Sequence, residues 1–345
     1  MSPSSPRLVE IIGGGLAGLG LALGLRQADI PVVVHEAGRY PRHRVCGEFI
    51  TSLDDRTIDR LALRPHLHDA LPATSVTWFR DRTLVHRHDL PEPALCLSRH
   101  TLDQRLAEAL IAAGGELHTD SRQPLQPAEG RVITAGRRPD SQSPWIGLKL
   151  HLAALPLAAD LELHLGRRAY VGLTRIEKDQ VNLCGLFHRD NIDPAHRTSS
   201  DVIVNHLLGA GLGHLASRLA NATAVPDSRC AVAGLDYRST AASDFDGSLG
   251  DHGALIPPFT GHGMTMAFQS AALAVEPLVA WARRQQDWPA TLRKIDQLQQ
   301  HHLRPKLRRA ANLHGWLLNP KRQRILLGLA RYHLLPTRTV YRLLH

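Results

Sequence analysis

Gly13-Gly14-Gly15-Leu16-Ala17-Gly18 follows the mostly apolar run Leu8 to Ile12 and opens the apolar stretch Leu19 to Leu25. Glycines at this spacing, between a strand-like and a helix-like segment, predict a strand-to-helix turn. Gly13 makes the tight turn, Gly15 lets the backbone approach a pyrophosphate, and Gly18 allows the helix to pack closely on the strand. The amides of Leu16 and Ala17 then open a helix whose N-terminus faces the phosphate charge. Val32-Val33-Val34 predicts a second strand, ending at Glu36-Ala37, where an acidic residue is placed to accept ribose hydroxyls.

A second glycine cluster, Gly250-Asp251-His252, leads into Pro257-Pro258-Phe259-Thr260-Gly261-His262-Gly263-Met264 and then an apolar helix running to about Leu278. With the first cluster it resembles the flavoproteins of the para-hydroxybenzoate hydroxylase fold, particularly their geranylgeranyl reductase-like branch. Three further stretches carry the same likeness: Arg42-His43-Arg44-Val45-Cys46-Gly47-Glu48, Ser98-Arg99-His100-Thr101-Leu102-Asp103, and Val181 to Phe187. The resemblance implies FAD as cofactor, with NAD(P)H as a transient reductant. It implies that Asp251 binds the ribityl chain, that Gly250, Pro258, Gly261, Gly263 and Met264 present backbone to the flavin, and that Arg44 and Arg99 meet the cofactor. One departure is Ala135-Gly136-Arg137, where the family commonly carries Asp-Gly.

The implied fold class is α/β: a Rossmann-type FAD-binding domain interleaved with an α+β, antiparallel-sheet substrate domain, followed by a helical C-terminal tail. The expected partition assigns residues 1–60, 99–145 and 233–282 to the FAD-binding domain and 61–98 and 146–232 to the substrate domain. The basic helical region is 283–345. Alternation of Leu148, Leu150 and Leu152, of Val171 and Leu173, and of Val181 and Leu183 predicts antiparallel strands flooring a substrate cavity. Asp201 to Leu208 and His214 to Leu219 read as helices. The intervening Gly209-Ala210-Gly211-Leu212-Gly213 follows a helical segment rather than a strand, which makes it a turn and not a second nucleotide site.

Composition sets the outer bounds. The 345 residues suffice for a substantial core. Cys46, Cys96, Cys184 and Cys230 form no Cys-x-x-Cys pair, so neither a metal site nor a disulfide framework is expected, and a reducing cytoplasm fits best. The net charge of +9 belongs to the tail: Thr291 to His345 carries twelve Lys or Arg against Asp296 alone, 12 − 1 = +11, which leaves 9 − 11 = −2 elsewhere. Pro305, Pro320 and Pro336 break this tail into short helical pieces. It reads as a helical cap with solvated cations, or as an element making peripheral membrane contact. Nucleic-acid binding is disfavoured, because no recognition motif accompanies the charge.

These features point to an FAD-dependent oxidoreductase. The first reading is a hydroxylating monooxygenase acting on a small lipophilic substrate, aromatic or polyketide-like, and the second a reductase of a carbon-carbon double bond. Hydroxylation of a tryptophan within a partner protein and a non-catalytic flavin-binding role stand as further alternatives. Ala169 to Thr174 lacks the tryptophan- and proline-containing motif of flavin-dependent halogenases and many geranylgeranyl reductases, which disfavours halogenation. His262, Cys46 and Glu48 are the candidate catalytic side chains: an imidazole in the flavin-facing block for acid-base work, a thiol on the substrate side, and a carboxyl as proton donor.

Overall fold

In the computed structural model, which describes residues 5–137, 140–191, 201–235, 247–332, 334 and 341, the chain begins with strand β1 (Val9–Ile12), helix α1 (Leu16–Gln27) and strand β2 (Val32–His35). β3 (Phe49–Ile50) and α2 (Asp55–Arg60) follow, then the long hairpin of β4 (Leu71–Arg80) and β5 (Thr83–Cys96). Next come α3 (Arg99–Ala112), β6 (Glu116–His118) and β7 (Arg131–Ile133). A run of four strands continues the chain: β8 (Trp145–Ala153), β9 (Leu161–Gly166), β10 (Ala169–Ile176) and β11 (Gln180–His188). After them lie α4 (Val202–Gly209), α5 (Gly213–Ala220), β12 (Thr223–Ala224) and β13 (Cys230–Ala233). Then come α6 (Gly263–Ala282), α7 (Trp288–His302), α8 (Arg304–Leu318) and α9 (Pro320–Arg331). Pro336 lies outside the described residues.

Two sheets organise these elements. The first is parallel, in the order β6-β2-β1-β7. Its core joins Val9, Ile11, Val32 and Val34 to Leu19, Leu23, Leu106 and Leu110 of α1 and α3, and to Phe268 and Val275 of α6. Leu61, Leu63 and Leu67 pack into this same core, after β3 has already paired with β5 in the second sheet. The second sheet runs β12-β8-β11-β10-β9-β4-β5-β3, with β13 also on β8; it is antiparallel except between β4 and β9.

The predicted strands are present, and both faces of the sheet they form are covered. Leu148, Leu150, Leu152, Val171, Leu173, Val181 and Leu183 pack under Ile203, Leu207, Leu215 and Leu219 of α4 and α5. Their alternates, among them Lys149, His151, Tyr170, Asn182 and Leu186, occupy the other face and are also buried. A sheet covered on both sides leaves no polar-out face. Alternation therefore identified strands without identifying which side was wet.

A candidate flavin cleft and a buried acid-base cluster

The parallel sheet brings the two glycine clusters together. Ile133 on β7 donates its amide to the Gly247 carbonyl at 2.9 Å and accepts from the Leu249 amide at 2.9 Å, so the chain enters the second cluster alongside the sheet's carboxyl end. The Gly13–Gly18 turn opens at that same end, the usual ligand-binding edge of such sheets. A β-carbon added to Gly250 would lie 2.9 Å from that of Ala17.

The three glycines differ in what surrounds them. Gly13 has φ +111°, and a β-carbon there would meet the Thr134 carbonyl at 2.5 Å; one on Gly18 would stand 2.0 Å from the Gly13 carbonyl. These two positions are filled by the protein's own backbone. At Gly15 the nearest atom would be Nη2 of Arg99 at 4.0 Å. Gly15, at the N-cap of α1, therefore faces open space bordered by a cation, which fits a pyrophosphate laid on the helix N-terminus. Leu16 and Ala17 are buried, leaving their amides to serve the turn.

A ring of charges lines the cleft. Buried Glu36 accepts from the amides of Gly14 at 2.8 Å and Gly38 at 3.0 Å and pairs with Arg42 at 2.9 Å, while Arg44 lies 3.4 Å away. The carboxylate thus ties the end of β2 to the glycine turn, while Ala37 beside it is exposed. Asp103, fully buried on α3, holds Arg44 at 3.0 Å and Arg99 at 2.6 Å. Burial opposes the charge on Arg99, but the adjoining Asp103 carboxylate outweighs it and raises the guanidinium pKa. Asp103 escaped the sequence reading, although its i,i+4 spacing from Arg99 on one helix was the available signal.

Asp251 belongs to this ring. Its side chain is reached by water yet crowded by protein, and that crowding pushes its carboxyl up to about 6 against the pull of Arg99, Arg137 and Arg44. Arg137, from the stretch that departs from the family pattern, thus acts on the proposed ribityl ligand. Its neighbour Gly136 also bonds through its carbonyl to His252 Nδ1 at 2.9 Å.

Behind Arg99 lies a cluster that sequence reasoning found only in part. The Arg99 amide donates to Glu48 Oε1 at 3.0 Å, and Lys149 Nζ donates to the same oxygen at 2.8 Å. Glu48 Oε2 bonds to His151 Nε2 at 2.6 Å. Glu48 sits in the left-handed region, φ 59°, a conformation uncommon for any residue but glycine and held here by these contacts. Lys149 and Glu48 are wholly shielded from water and His151 nearly so. His43 approaches Lys149 Nζ at 3.3 Å through Nδ1, stacks on His100 with ring centroids 4.4 Å apart, and meets His151 edge-on. Burial and the neighbouring Lys149 charge push His43 down to about 4, and His43 and His100 are both half-buried, so the cluster reaches toward the surface through neutral imidazoles. Lys149 and His151 gave no sequence signal, because polar residues alternating with leucines read as solvent-facing.

Cys46 stands next to this cluster, with Sγ accepting from the Glu48 amide at 3.4 Å and its carbonyl accepting from Asn182 Nδ2 at 2.9 Å. Burial raises the Cys46 thiol above its ordinary value, which keeps it protonated. Among the described residues no group of three His, Cys, Asp or Glu side chains is placed to hold a metal ion.

Against solved structures, the chain is similar to the flavin-dependent brominase Bmp2 (17% identity, 99% of this chain and 93% of that one, TM-score 0.76). It is also similar to a geranylgeranyl bacteriochlorophyll reductase-like protein from Thermoplasma acidophilum (13%, 98% and 95%, TM-score 0.73). A third likeness is to Klebsiella pneumoniae HpxO complexed with FAD and uric acid (14%, 98% and 95%, TM-score 0.73). The chain has the para-hydroxybenzoate hydroxylase fold. No family model and no curated protein sequence matches it.

Within that hydroxylase fold the remaining candidates fall around the second loop. Gly261 has φ +71°, and the ring of Phe49 on β3 lies where its β-carbon would stand. Thr265 donates to the Thr51 carbonyl at 2.6 Å, fastening the start of α6 to the chain just after β3. A β-carbon on Gly263 would meet only Ile256 at 3.9 Å, leaving the first amides of α6 open. His262 is buried at the N-cap of α6 and Pro258 is exposed. Met264 contributes its side chain to the core beneath α6, so any cofactor contact there is through backbone.

The other face of the second sheet carries an apolar cluster roofed by α8 and α9. Leu165, Tyr170 and Leu186 of the sheet pack with Leu317 of α8 and Leu327 of α9, bordered by Trp78, Leu163 and Phe259. Buried His314 of α8 lies 3.4 Å from the Tyr170 hydroxyl and parallel to the Phe259 ring, and burial pushes its imidazole down to about 4. The tail therefore packs as a helical cap. Among the described residues no helix is long and apolar enough to cross a membrane.

Proposed function

We propose that this protein is an FAD-dependent oxidoreductase that hydroxylates a lipophilic, aromatic or polyketide-like substrate, using NAD(P)H as transient reductant and O2. The observation that carries this reading is the placement of an open phosphate cradle at Gly15 and a buried acid-base cluster at Glu48, Lys149 and His151 on either side of Arg99. Bound FAD supplies the redox chemistry, accepting a hydride and activating oxygen.

The protein's share is binding, orientation and proton handling. Gly13 to Gly18 and Arg99 take the pyrophosphate, and Asp251 takes the ribityl hydroxyls. Glu48 fixes His151 through Nε2 and holds Lys149 through its other oxygen, which orients the imidazole, with His43 and His100 leading outward as the acid-base route. The apolar face around Leu163, Leu165, Tyr170 and Leu186 suits a lipophilic ring and excludes water.

The test is to reduce the flavin-loaded protein anaerobically with NADH or NADPH and admit isotopically labelled dioxygen with hydrophobic phenols. Labelled oxygen in the product is the expected result. Electron delivery to an alkene without oxygen incorporation would replace hydroxylation with the reductase reading. A protein that purifies colourless and takes up no flavin would sink both.

A further inference from the structure

Between Gln297 and His345 the chain carries ten Lys or Arg and no Asp or Glu. α9 buries Gln323, Leu327 and Ala330, spaced i, i+4, i+7, against the molecule. The opposite side of a surface helix is ordinarily polar. Here it exposes Ile325 and Leu329, 55% and 37% accessible and one helical turn apart, with Lys321, Arg322 and Arg324 exposed around them. The Arg322 guanidinium lies 5.5 Å from the ring centre of Trp316, itself 36% accessible on α8, so the ridge continues from one helix to the next.

We propose that α8 and α9 dock this protein on an anionic membrane surface. Ile325, Leu329 and Trp316 enter the boundary between headgroups and acyl chains, while Lys321 and Arg322 meet lipid phosphates. Charge complementarity selects this occupant: an apolar ridge bordered by cations matches the depth order of an anionic leaflet, hydrocarbon in the centre and phosphate at the rim. A nucleic acid would satisfy the cations and leave Ile325 and Leu329 in water. An acidic leaflet satisfies both. The inner sides of the same helices roof the apolar sheet face, with Leu317 and Leu327 against Leu165, Tyr170 and Leu186. Docking thus sets the outside of that roof on the bilayer, from which a lipophilic molecule reaches the sheet without crossing water. This last step rests on the proposed substrate class; the docking does not.

The experiment is sedimentation of the full-length protein with vesicles of phosphatidylcholine alone and of phosphatidylcholine with phosphatidylglycerol, at low and high salt. Binding is expected only to the anionic vesicles and to fall with salt. The double variants Ile325→Asp/Leu329→Asp and Lys321→Gln/Arg322→Gln should each weaken binding by about tenfold or more. Flavin content should match wild type in both, which separates a failure of docking from a failure of the oxidoreductase reading. Absence of wild-type binding to anionic vesicles overturns the proposal. So does undiminished binding by the Ile325/Leu329 variant, or equal retention of wild type and that variant on a soluble polyanion with no vesicle preference.

Discussion

Lys149 on β8 and Glu48, in the loop before β3, meet at 2.8 Å with neither side chain touching water. Removing one partner of such a pair strands a charge in a low-dielectric interior, whereas replacing both removes the problem. Glu48→Gln is expected to destabilise the flavin-free protein by about 3–5 kcal/mol. Adding Lys149→Met should recover most of that loss, as read from urea midpoints in a double-mutant cycle. A Glu48→Gln protein that unfolds at the wild-type midpoint would show that the ammonium finds another partner.

Gly15 and Gly18 stand three residues apart and should respond oppositely to a methyl group. At Gly18 an added β-carbon has only 2.0 Å to the Gly13 carbonyl, so Gly18→Ala must push α1 off β1 and lower the melting temperature. At Gly15 it meets nothing nearer than 4.0 Å, so Gly15→Ala should melt like wild type yet retain much less flavin. Thermal melts paired with the flavin-to-protein absorbance ratio check both halves. Equal flavin content in Gly15→Ala and wild type would remove the cradle from the argument.

Asp251→Ala should lower flavin occupancy more than it alters folding, because the carboxylate faces the cleft rather than the core. Its raised pKa adds a pH signature. The folded state holds the proton up to about pH 6 and the unfolded chain only to its ordinary 3.8, so the contribution to stability is present below 3.8 and lost as pH rises through 6. Flavin-free Asp251→Asn should therefore gain stability over wild type above pH 6 and show no gain below pH 4. Denaturant midpoints across that range give the comparison, and a gain confined to acid would reverse the assignment.

His314 carries the opposite sign. Burial lowers its imidazole from 6.5 to about 4, so the folded protein refuses a proton that the unfolded chain accepts. Its contribution is present above pH 6.5 and is lost as pH falls toward 4, by up to about 3 kcal/mol. His314→Gln should flatten the pH dependence of stability between 6.5 and 4. Parallel wild-type and variant curves over that window would mean that His314 charges without cost.

The glycine clusters were legible in sequence because their meaning is geometric. Only residues lacking a side chain serve where backbone meets backbone, as at Gly13 and Gly18, whereas at Gly15 an added β-carbon would stand in the open space beside Arg99. The strands were legible from their alternation. What remained hidden was the sidedness of the second sheet: with both faces buried, the leucines could not reveal which layer each would meet. Lys149 and His151 therefore looked like surface residues. Their partner Glu48 lies some hundred positions earlier, and nothing local ties a carboxyl in one loop to an ammonium in a distant strand. Asp103 was hidden for a milder reason, since an i,i+4 ion pair is common on exposed helices and only burial makes this one a hub for two guanidinium groups.

The lid formed by α8 and α9 has a kinetic corollary. Because Leu317 and Leu327 pack with Leu165, Tyr170 and Leu186, a molecule bound against that sheet face would have to part these side chains on the way in and again on the way out. Under the proposed function, turnover would then follow the breathing of α8 and α9, and solvent viscosity should slow it even when every redox event is fast.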